Sequence, residues 1–285
     1  MSFTSPPSIS IAHALQQAHQ AGLARIDAQL LLLHAIGRLD QGRAWLISHD
    51  DALLSPEQQL RWQTLIAQRA DGMPVAYLTG SKEFFGLPLH INSATLDPRP
   101  DTEILVEWAL EKIHSITAPR VLDLGTGSGA IALAIQKQRP DALVWAIDQS
   151  SKALAVAQAN GQRLGLPVQW LQGDWFAPVR HANLPPFDMI VSNPPYIETS
   201  DPHLAALQHE PQEALVSGED GLDDIRRISQ AAVAHLKTQG YLLLEHGWNQ
   251  APSVAKILRQ AGFIAIDTRH DLGGHIRCSA GLYNG

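Results

Sequence analysis

The stretch Val121–Gly129, VLDLGTGSG, decides the fold, and the apolar segment Ala130–Gln138 follows it directly. Its first four residues predict a short buried strand, and the apolar segment predicts a helix. The turn between them is built from Gly125, Thr126, Gly127, Ser128 and Gly129. Glycines let a backbone turn tightly and approach a ligand without interference from Cβ atoms. The pattern therefore predicts a nucleotide-like cofactor here; the alternative is a tight strand–helix turn that binds nothing.

The same alternation of strand, turn and helix continues from Arg120 to the end of the chain. Strands are predicted at 120–124, 142–147, 167–172, 187–192, 239–245, 263–268 and 276–283, and helices at 101–114, 128–138, 150–163, 222–236 and 250–261. This order is typical of an α/β fold, a mostly parallel sheet with helices on both faces. Ligands of such sheets bind outside the carboxyl ends of the strands, where the glycine turn lies.

Asp123, two residues before the first glycine, helps to choose between cofactors. Gly125, Gly127 and Ala130 also satisfy a loose dinucleotide pattern. A carboxylate at this place would repel a pyrophosphate, whereas it suits the ammonium group of S-adenosylmethionine through a charge-assisted hydrogen bond. The glycine turn is therefore predicted to bind S-adenosylmethionine. Asp123 could instead do no more than accept hydrogen bonds from loop amides.

Further cofactor contacts are predicted at the ends of the next two strands. Asp148 follows the apolar strand that ends at Ile147 and is placed to accept the ribose hydroxyls; its alternative role is to cap the helix that begins near Ser150. Asp174 could accept from the adenine amino group. Trp175 could cover the adenine plane or pack in the core, and the sequence favours neither.

The motif Asn193-Pro194-Pro195-Tyr196 directly follows the apolar strand Phe187–Val191. Two prolines fix two φ angles and remove two N–H donors, so that hydrogen-bond acceptors predominate. Such a site favours a substrate that donates two hydrogens from one planar NH2 group. Tyr196 could stack on that group. The alternative is a rigid loop with no ligand.

The chemistry of a planar nitrogen explains the need for two acceptors. An amide or adenine amino nitrogen is a poor nucleophile, because its lone pair is delocalised. Two acceptors that hold both hydrogens can pull the nitrogen towards tetrahedral geometry and aim its lone pair at a sulfonium methyl group. Orientation of this kind lowers the activation free energy of methyl transfer by roughly several kcal/mol. The motif Asn193–Tyr196 is therefore the predicted catalytic and substrate-binding element, and Asn193 is also expected to contact the cofactor.

The first part of the chain differs from the rest. Residues 1–74 predict a helical bundle, in which Ser55-Pro56-Glu57-Gln58 has the composition of a helix start with a capping box. Residues 75–97 are predicted to be a linker with a β-hairpin around Gly86, and residues 98–285 to be the α/β domain.

Composition limits the class of protein and its partners. The chain has 285 residues, a formal charge of −7 and one cysteine, Cys278. A protein that holds nucleic acid by its phosphates usually has a basic face, so direct sequence-specific binding of nucleic acid is not expected. One cysteine cannot form an intrachain disulfide, and no secretory signal or membrane span is expected from the sequence. The chain is expected to be cytoplasmic and monomeric.

The motifs together resemble those of the release-factor glutamine N5-methyltransferases, the PrmC/HemK family. The resemblance covers roughly residues 74–285. It is carried by Tyr77–Gly80, Glu83–Gly86, Pro98–Glu103, Asp123–Gly129, Asp148, Asp174–Phe176, Asn193–Tyr196, Glu210-Pro211 and Gly218–Asp223. Ser217 stands where a glycine is usual, which is a small departure.

The resemblance implies a class I, Rossmann-like methyltransferase sheet with an antiparallel last strand. A small all-helical N-terminal domain would be joined to it by the hairpin linker and would help to hold the substrate. The substrate would be the glutamine of the Gly-Gly-Gln motif in class I peptide-chain release factors. The Asn193 side chain and the Pro194 carbonyl would hold its amide, and Arg99 could line the mouth of the site or form a linker salt bridge.

Three other functions are compatible with part of the sequence. An adenine-N6 methyltransferase of DNA or RNA would use the same acceptor motif. A nicotinamide-dependent oxidoreductase would use the glycine turn, but would leave Asp123 and the acceptor motif unexplained. A binding module without turnover would keep only the cofactor pocket. His270 and His275 are interpreted as loop histidines, and no metal site is expected.

Overall fold

A computed structural model describes residues 8–285. Residues 1–7, where a secretory signal would begin and none is expected, lie outside the described residues. The chain forms two compact units; the first ends at Ser81 and the second comprises Lys82–Gly285. Their boundary falls within the segment 75–97 that was predicted to be a linker.

The first unit is helical in the part that the structure describes. Its helices are α1 (Ile11–Gln20), α2 (Arg25–Ala35), α3 (Arg43–Ser48), α4 (Pro56–Ala70) and α5 (Val75–Thr79), with a 3₁₀ turn at Leu39–Gln41. The predicted start of α4 is confirmed: Ser55 accepts from the Gln58 amide, and the Gln58 side chain accepts from the Ser55 amide. Leu31, Leu32 and Trp62 are fully buried where α2 packs on α4.

A β-hairpin opens the second unit, as predicted. Its strands are β1 (Ser81–Phe84) and β2 (Leu87–His90). Phe85 and Gly86 form the turn, both with positive φ, which is the geometry that two-residue hairpin turns favour. The Phe85 amide donates to Glu103 Oε1 at 3.0 Å, which fixes the hairpin tip to the start of the helix that follows.

The rest of the second unit is a seven-stranded sheet in the order β5-β4-β3-β6-β7-β9-β8. Its strands are β3 (Arg120–Leu124), β4 (Leu143–Asp148), β5 (Gln169–Gln172), β6 (Phe187–Ser192), β7 (Leu236–Glu245), β8 (Ile264–His270) and β9 (Ile276–Leu282). Pairing is parallel from β5 to β7, and β9 is antiparallel to both neighbours. The predicted α/β class, parallel sheet and antiparallel last strand are confirmed.

Helices accompany the sheet. They are α6 (Thr102–Lys112), α7 (Ala130–Gln138), α8 (Ser151–Leu164), α9 (Ala177–His181), α10 (Asp223–Ala232) and α11 (Ala251–Gln260), and 3₁₀ turns occur at Pro202–Leu207 and Gln212–Ala214. Every residue of β6 is buried, as expected for a central strand of a sheet covered on both faces. No helix within residues 8–285 is long and apolar enough to cross a membrane.

One helix boundary was predicted wrongly. A helix was expected to continue to residue 236, but α10 ends at Ala232 and Leu236 begins β7. Leu236 pairs with Phe187, and the Phe187 amide donates to the His235 carbonyl at 2.8 Å. Pairing with the central strand therefore takes these residues from the helix, since tertiary contacts override local propensity.

Candidate active site

The glycine turn lies at the carboxyl end of β3 and is fixed by backbone hydrogen bonds. The amides of Gly125 and Thr126 both donate to the Ile147 carbonyl at 2.9 Å, which ties the turn to β4. Gly125, Gly127 and Gly129 all have positive φ. An added Cβ at Gly127 would meet no atom within 4 Å, so the backbone there borders open space. The turn thus leaves room for a ligand against its backbone.

Asp123 lies beneath this turn and is fully buried. Its Oδ2 accepts from the Thr126 hydroxyl at 2.6 Å and from the Ala132 amide at 3.2 Å. Burial raises the pKa of Asp123 to about 7. Its Oδ1 has no hydrogen-bond partner in the part of the chain that the structure describes. The carboxylate therefore shapes the turn, and its predicted contact with an ammonium group stays a prediction.

Asp148 ends β4 and faces the turn. Its Oδ2 accepts from the Gly127 amide at 2.8 Å, and its Oδ1 accepts from the Ser150 amide at 2.9 Å. Burial raises the pKa of Asp148, and these two hydrogen bonds oppose the rise. Each carboxylate oxygen can accept a second hydrogen bond. The helix α8 is capped by Ser150 itself, whose hydroxyl accepts from the Ala153 amide at 3.3 Å, so the capping alternative for Asp148 is wrong. A contact of Asp148 with a ribose stays a prediction.

A cleft runs along the carboxyl ends of β3, β4, β5 and β6. It spans about 830 Å³ of space between the atoms, part of it open solvent. Of the predicted site residues, it is lined by Gly125, Gly127, Asp148, Asp174, Trp175, Asn193 and Pro195. The structure thus brings the glycine turn, both later acidic residues and the acceptor motif to one cleft, although they are distant in sequence.

Asp174 and Trp175 contribute to this cleft in different ways. The Asp174 carboxylate is half exposed and forms an ion pair with Arg227 at 2.6 Å, a contact that the sequence did not indicate. Trp175 adopts a positive φ of 41° and packs partly on the core, while an added Cβ at Gly125 would lie 3.4 Å from its ring. The ring therefore serves as both core and cleft wall.

The acceptor motif leaves β6 at Asn193. The Asn193 side-chain nitrogen donates to the Thr102 hydroxyl at 3.2 Å. This contact uses one N–H of the side-chain amide, and Asn193 itself lines the cleft. Pro194 is buried, whereas Pro195 and Tyr196 are half-buried. The Gln250 side chain donates to the Tyr196 carbonyl at 2.9 Å, which fixes the far end of the motif.

A buried carboxylate, Glu245, lies behind the motif at the end of β7. Its Oε1 accepts from the Tyr196 hydroxyl at 3.5 Å. Burial raises the pKa of Glu245 to about 7, an effect that Thr102 and the Arg277 charge oppose. Burial and the neighbouring Glu245 also raise the pKa of Tyr196, which keeps its hydroxyl protonated. Tyr196 is thus held in place in its neutral form; neither it nor Pro194 is among the residues that line the cleft.

Arg99 does not line the cleft. Its guanidinium forms an ion pair with Glu210 and lies 3.6 Å from Asp97 Oδ2. Of the two alternatives from the sequence, the linker salt bridge matches the contacts seen, and a contact of Arg99 with substrate stays a prediction. Among residues 8–285, no group of three or more His, Cys, Asp or Glu side chains is arranged to hold a metal ion.

Asn160 is a structural contributor that the sequence did not reveal. It is fully buried in α8, and its nitrogen donates to the carbonyls of Ser128 and His90, both at 3.0 Å. Its oxygen accepts from the His90 amide at 2.7 Å. One side chain therefore holds the glycine turn to the hairpin. No local pattern distinguishes it from any other helical asparagine, because its partners are 32 and 70 residues away.

The donor set of the cleft fits S-adenosylmethionine better than a phosphate-bearing cofactor. Asp148 and Glu213 put carboxylates in its lining, and the basic Arg227 is already paired with Asp174. A pyrophosphate would need cations or free loop amides, but the Gly125, Thr126 and Gly127 amides donate to oxygens of the chain itself. A cationic sulfonium and a ribose would meet acceptors instead.

Solved structures with a TM-score above 0.5 share the fold. A T. thermophilus 16S rRNA N2 G1207 methyltransferase (RsmC), in complex with AdoMet and guanosine, has a TM-score of 0.54 at 20% identity, covering 72% of this chain and 50% of that one. The hMettl16 catalytic domain, in complex with the MAT2A 3'UTR hairpin 6, has a TM-score of 0.55 at 15% identity, and the match covers 80% of this chain and 81% of that one.

Sequence relatives and family models are more specific. The Methyltransferase small domain matches residues 99–261, and the PrmC N-terminal domain matches residues 10–80. The release factor glutamine methyltransferase of Xylella fastidiosa (strain Temecula1) is 46% identical to this chain, and the match covers 94% of this chain and 96% of the relative. The protein of the same name from Bordetella pertussis is also 46% identical, and the match covers 91% of this chain and 95% of the relative. The release factor glutamine methyltransferase of Escherichia coli (strain K12) is 42% identical, and the match covers 95% of this chain and 96% of the relative. The chain belongs to the family of release factor glutamine methyltransferases.

Proposed function

We propose that this chain transfers a methyl group from S-adenosyl-L-methionine to the side-chain amide nitrogen, N5, of the glutamine in the Gly-Gly-Gln motif of class I peptide-chain release factors. The full-length relatives support the reaction and the substrate. The observation that carries the proposal is the position of Asn193 on the same cleft as the glycine turn and Asp148, with its side-chain amide hydrogen-bonded to Thr102.

The acceptor corner, which we define as the Asn193 side-chain oxygen and the Pro194 carbonyl, orients the substrate nitrogen. Asn193 Oδ1 accepts one hydrogen of the glutamine amide, and the Pro194 carbonyl accepts the other. Thr102 keeps the Asn193 amide from rotating, and the two prolines keep the backbone rigid. Holding both hydrogens turns the nitrogen lone pair out of conjugation, which is an orientation effect rather than base catalysis. Pro195 and Tyr196 wall the planar amide.

The remaining cleft residues hold the cofactor. S-adenosylmethionine, when bound, supplies an electrophilic methyl group on a positively charged sulfur. Gly125 and Gly127 would admit it against the backbone, and Asp148 would accept from its ribose hydroxyls. Trp175 would cover one side of the adenine, and Asp174 would accept from the adenine amino group. Thr126, Ser128, Gly129 and Asp123 shape the turn.

The partners follow from the substrate. The first unit contributes to holding the release factor. The enzyme acts in the cytoplasm as a monomer, and it binds no nucleic acid in a sequence-specific way. The net charge of −7 supports the last point, because phosphate binding needs a surplus of Lys and Arg on one face.

One experiment tests the substrate. The enzyme and labelled S-adenosylmethionine are incubated in parallel reactions, each with a different acceptor. The acceptors are a class I release factor, a variant of that factor whose motif glutamine is replaced by alanine, and single- and double-stranded DNA and RNA. Mass spectrometry should find a gain of roughly 14 Da on the glutamine, one methyl group in place of one hydrogen, and no gain in the alanine control. Label in nucleic acid alone, found on N6 of adenine after digestion to nucleosides, would instead establish an adenine-N6 methyltransferase.

A further inference from the structure

Two irregular segments from distant parts of the chain wall the cofactor cleft. Ala94, Thr95 and Leu96 line it from the segment that follows the hairpin. Pro211, Glu213 and Ala214 line it from the loop that follows the acceptor motif. Neither segment belongs to the sheet, and only the short turn Gln212–Ala214 has regular structure. Something other than the strand ladders must therefore hold these walls in place.

A cluster of charged groups joins the two walls at their ends. Asp97 follows Leu96 directly, and its amide donates to Glu210 Oε2 at 3.2 Å. Arg99 forms an ion pair with the other oxygen, Glu210 Oε1. The cluster thus connects residues 111 and 113 positions apart in sequence. Glu210 immediately precedes Pro211, so the first wall ends and the second wall begins next to the cluster.

Burial makes these contacts consequential. The Glu210 side chain is 3% exposed and that of Asp97 is 10% exposed, whereas Arg99 reaches solvent. A carboxylate buried this far needs a cation and hydrogen-bond donors, and it becomes costly when the cation is removed. The planar guanidinium presents several donors at once, which an ammonium group does not. Loss of Arg99 should therefore drive Glu210 towards solvent and part the walls.

We infer that Arg99 and Glu210 form a clamp that holds the two walls of the cleft against bound S-adenosylmethionine, and that both are positioning residues for the cofactor. The inference rests on the proposed cofactor site. It gives Arg99 a role without any contact with the release factor.

The test compares Arg99→Met, Glu210→Gln and the double variant with a matched control, Lys237→Met. Lys237 pairs with Asp188, which is 11% exposed, at 2.7 Å, and lies at the opposite end of the sheet from the cleft. The control thus breaks a comparable ion pair in the same unit. Calorimetry gives the dissociation constant of S-adenosylmethionine for each purified full-length protein, and steady-state kinetics give KM for cofactor and for release factor separately.

Each clamp variant should weaken cofactor binding about tenfold, a change of ~1.4 kcal/mol. The double variant should bind no more weakly than the worse single variant, since both changes break one contact. Turnover at saturating cofactor and KM for release factor should stay near wild type, and Lys237→Met should bind normally. If Arg99→Met does not fold, the nearly isosteric Glu210→Gln decides.

Unchanged cofactor affinity in the clamp variants would overturn the inference, as would an equal loss in Lys237→Met or a raised KM for release factor alone. Failure of the proposed function is a separate result. If the wild-type protein methylates no release factor while the clamp variants lose cofactor affinity, the substrate assignment fails and the clamp stands.

Discussion

Alanine substitutions at Gly127 and Gly129 should have different principal effects, although both residues belong to one turn. Gly127 has a φ of +56°, borders the cleft, and an added Cβ would meet nothing within 4 Å. Gly129 has a φ of +85°, and its Cβ would lie 3.0 Å from Leu133 and 3.1 Å from Trp170. The first glycine faces the ligand, and the second faces the packed interior.

The magnitudes follow from these two environments. Left-handed backbone strain in alanine costs ~1–2 kcal/mol at either position. Gly129→Ala adds overpacking, which typically costs ~1–3 kcal/mol, so its total destabilisation is about 2–5 kcal/mol. Gly127→Ala should lose only the strain energy in stability. Its methyl group enters the cleft, however, so its affinity for S-adenosylmethionine should fall at least about tenfold.

Denaturant unfolding without cofactor measures the first effect, and calorimetry with S-adenosylmethionine measures the second. We expect Gly129→Ala to have the lower free energy of unfolding. We expect Gly127→Ala to have the larger ratio of lost affinity for S-adenosylmethionine to lost stability. Equal stability losses in the two variants, or a greater loss in Gly127→Ala, would refute the packing argument.

Two further predictions concern buried carboxylates. Asp148→Asn should weaken binding of S-adenosylmethionine about tenfold or more with little change in turnover at saturating cofactor, because it removes charge-assisted hydrogen bonds; an unchanged dissociation constant by calorimetry would remove the ribose assignment. Glu245 has a folded pKa of about 7 against its ordinary 4.5, so the folded state keeps a proton that the unfolded state loses, and the free energy of unfolding falls as the pH rises between those values. In the wild type this carboxyl should lower the free energy of unfolding by ~3 kcal/mol between pH 5 and pH 8, measured by urea unfolding, and Glu245→Gln should lack this decrease. The same pH dependence in the wild type and in Glu245→Gln would contradict the prediction.

The sequence predicted those parts of the site that depend on local pattern. A strand that runs into glycines, an acidic residue at the next strand end, and prolines after a buried strand are each visible within about ten residues. Because the carboxyl ends of parallel strands meet at one edge, Gly127, Asp148 and Asn193 could be expected to share a site, and they share one cleft.

The contacts that the sequence could not predict join residues far apart in the chain. Glu210 with Arg99, Arg227 with Asp174, and Asn160 with the glycine turn depend on loop paths that no periodicity encodes. The end of α10 at Ala232 was mispredicted for the same reason, since the pairing of Leu236 with Phe187 decides it. Roles in ligand binding are in addition invisible to burial patterns.

The most direct test of the account is the single-turnover rate of Asn193→Ala on a class I release factor, with saturating S-adenosylmethionine and with cofactor affinity measured on the same sample. The acceptor-corner mechanism predicts a rate at least roughly 100-fold below wild type, while the dissociation constant of the cofactor stays close to that of wild type. A near-normal rate of glutamine methylation in that variant would contradict the mechanism.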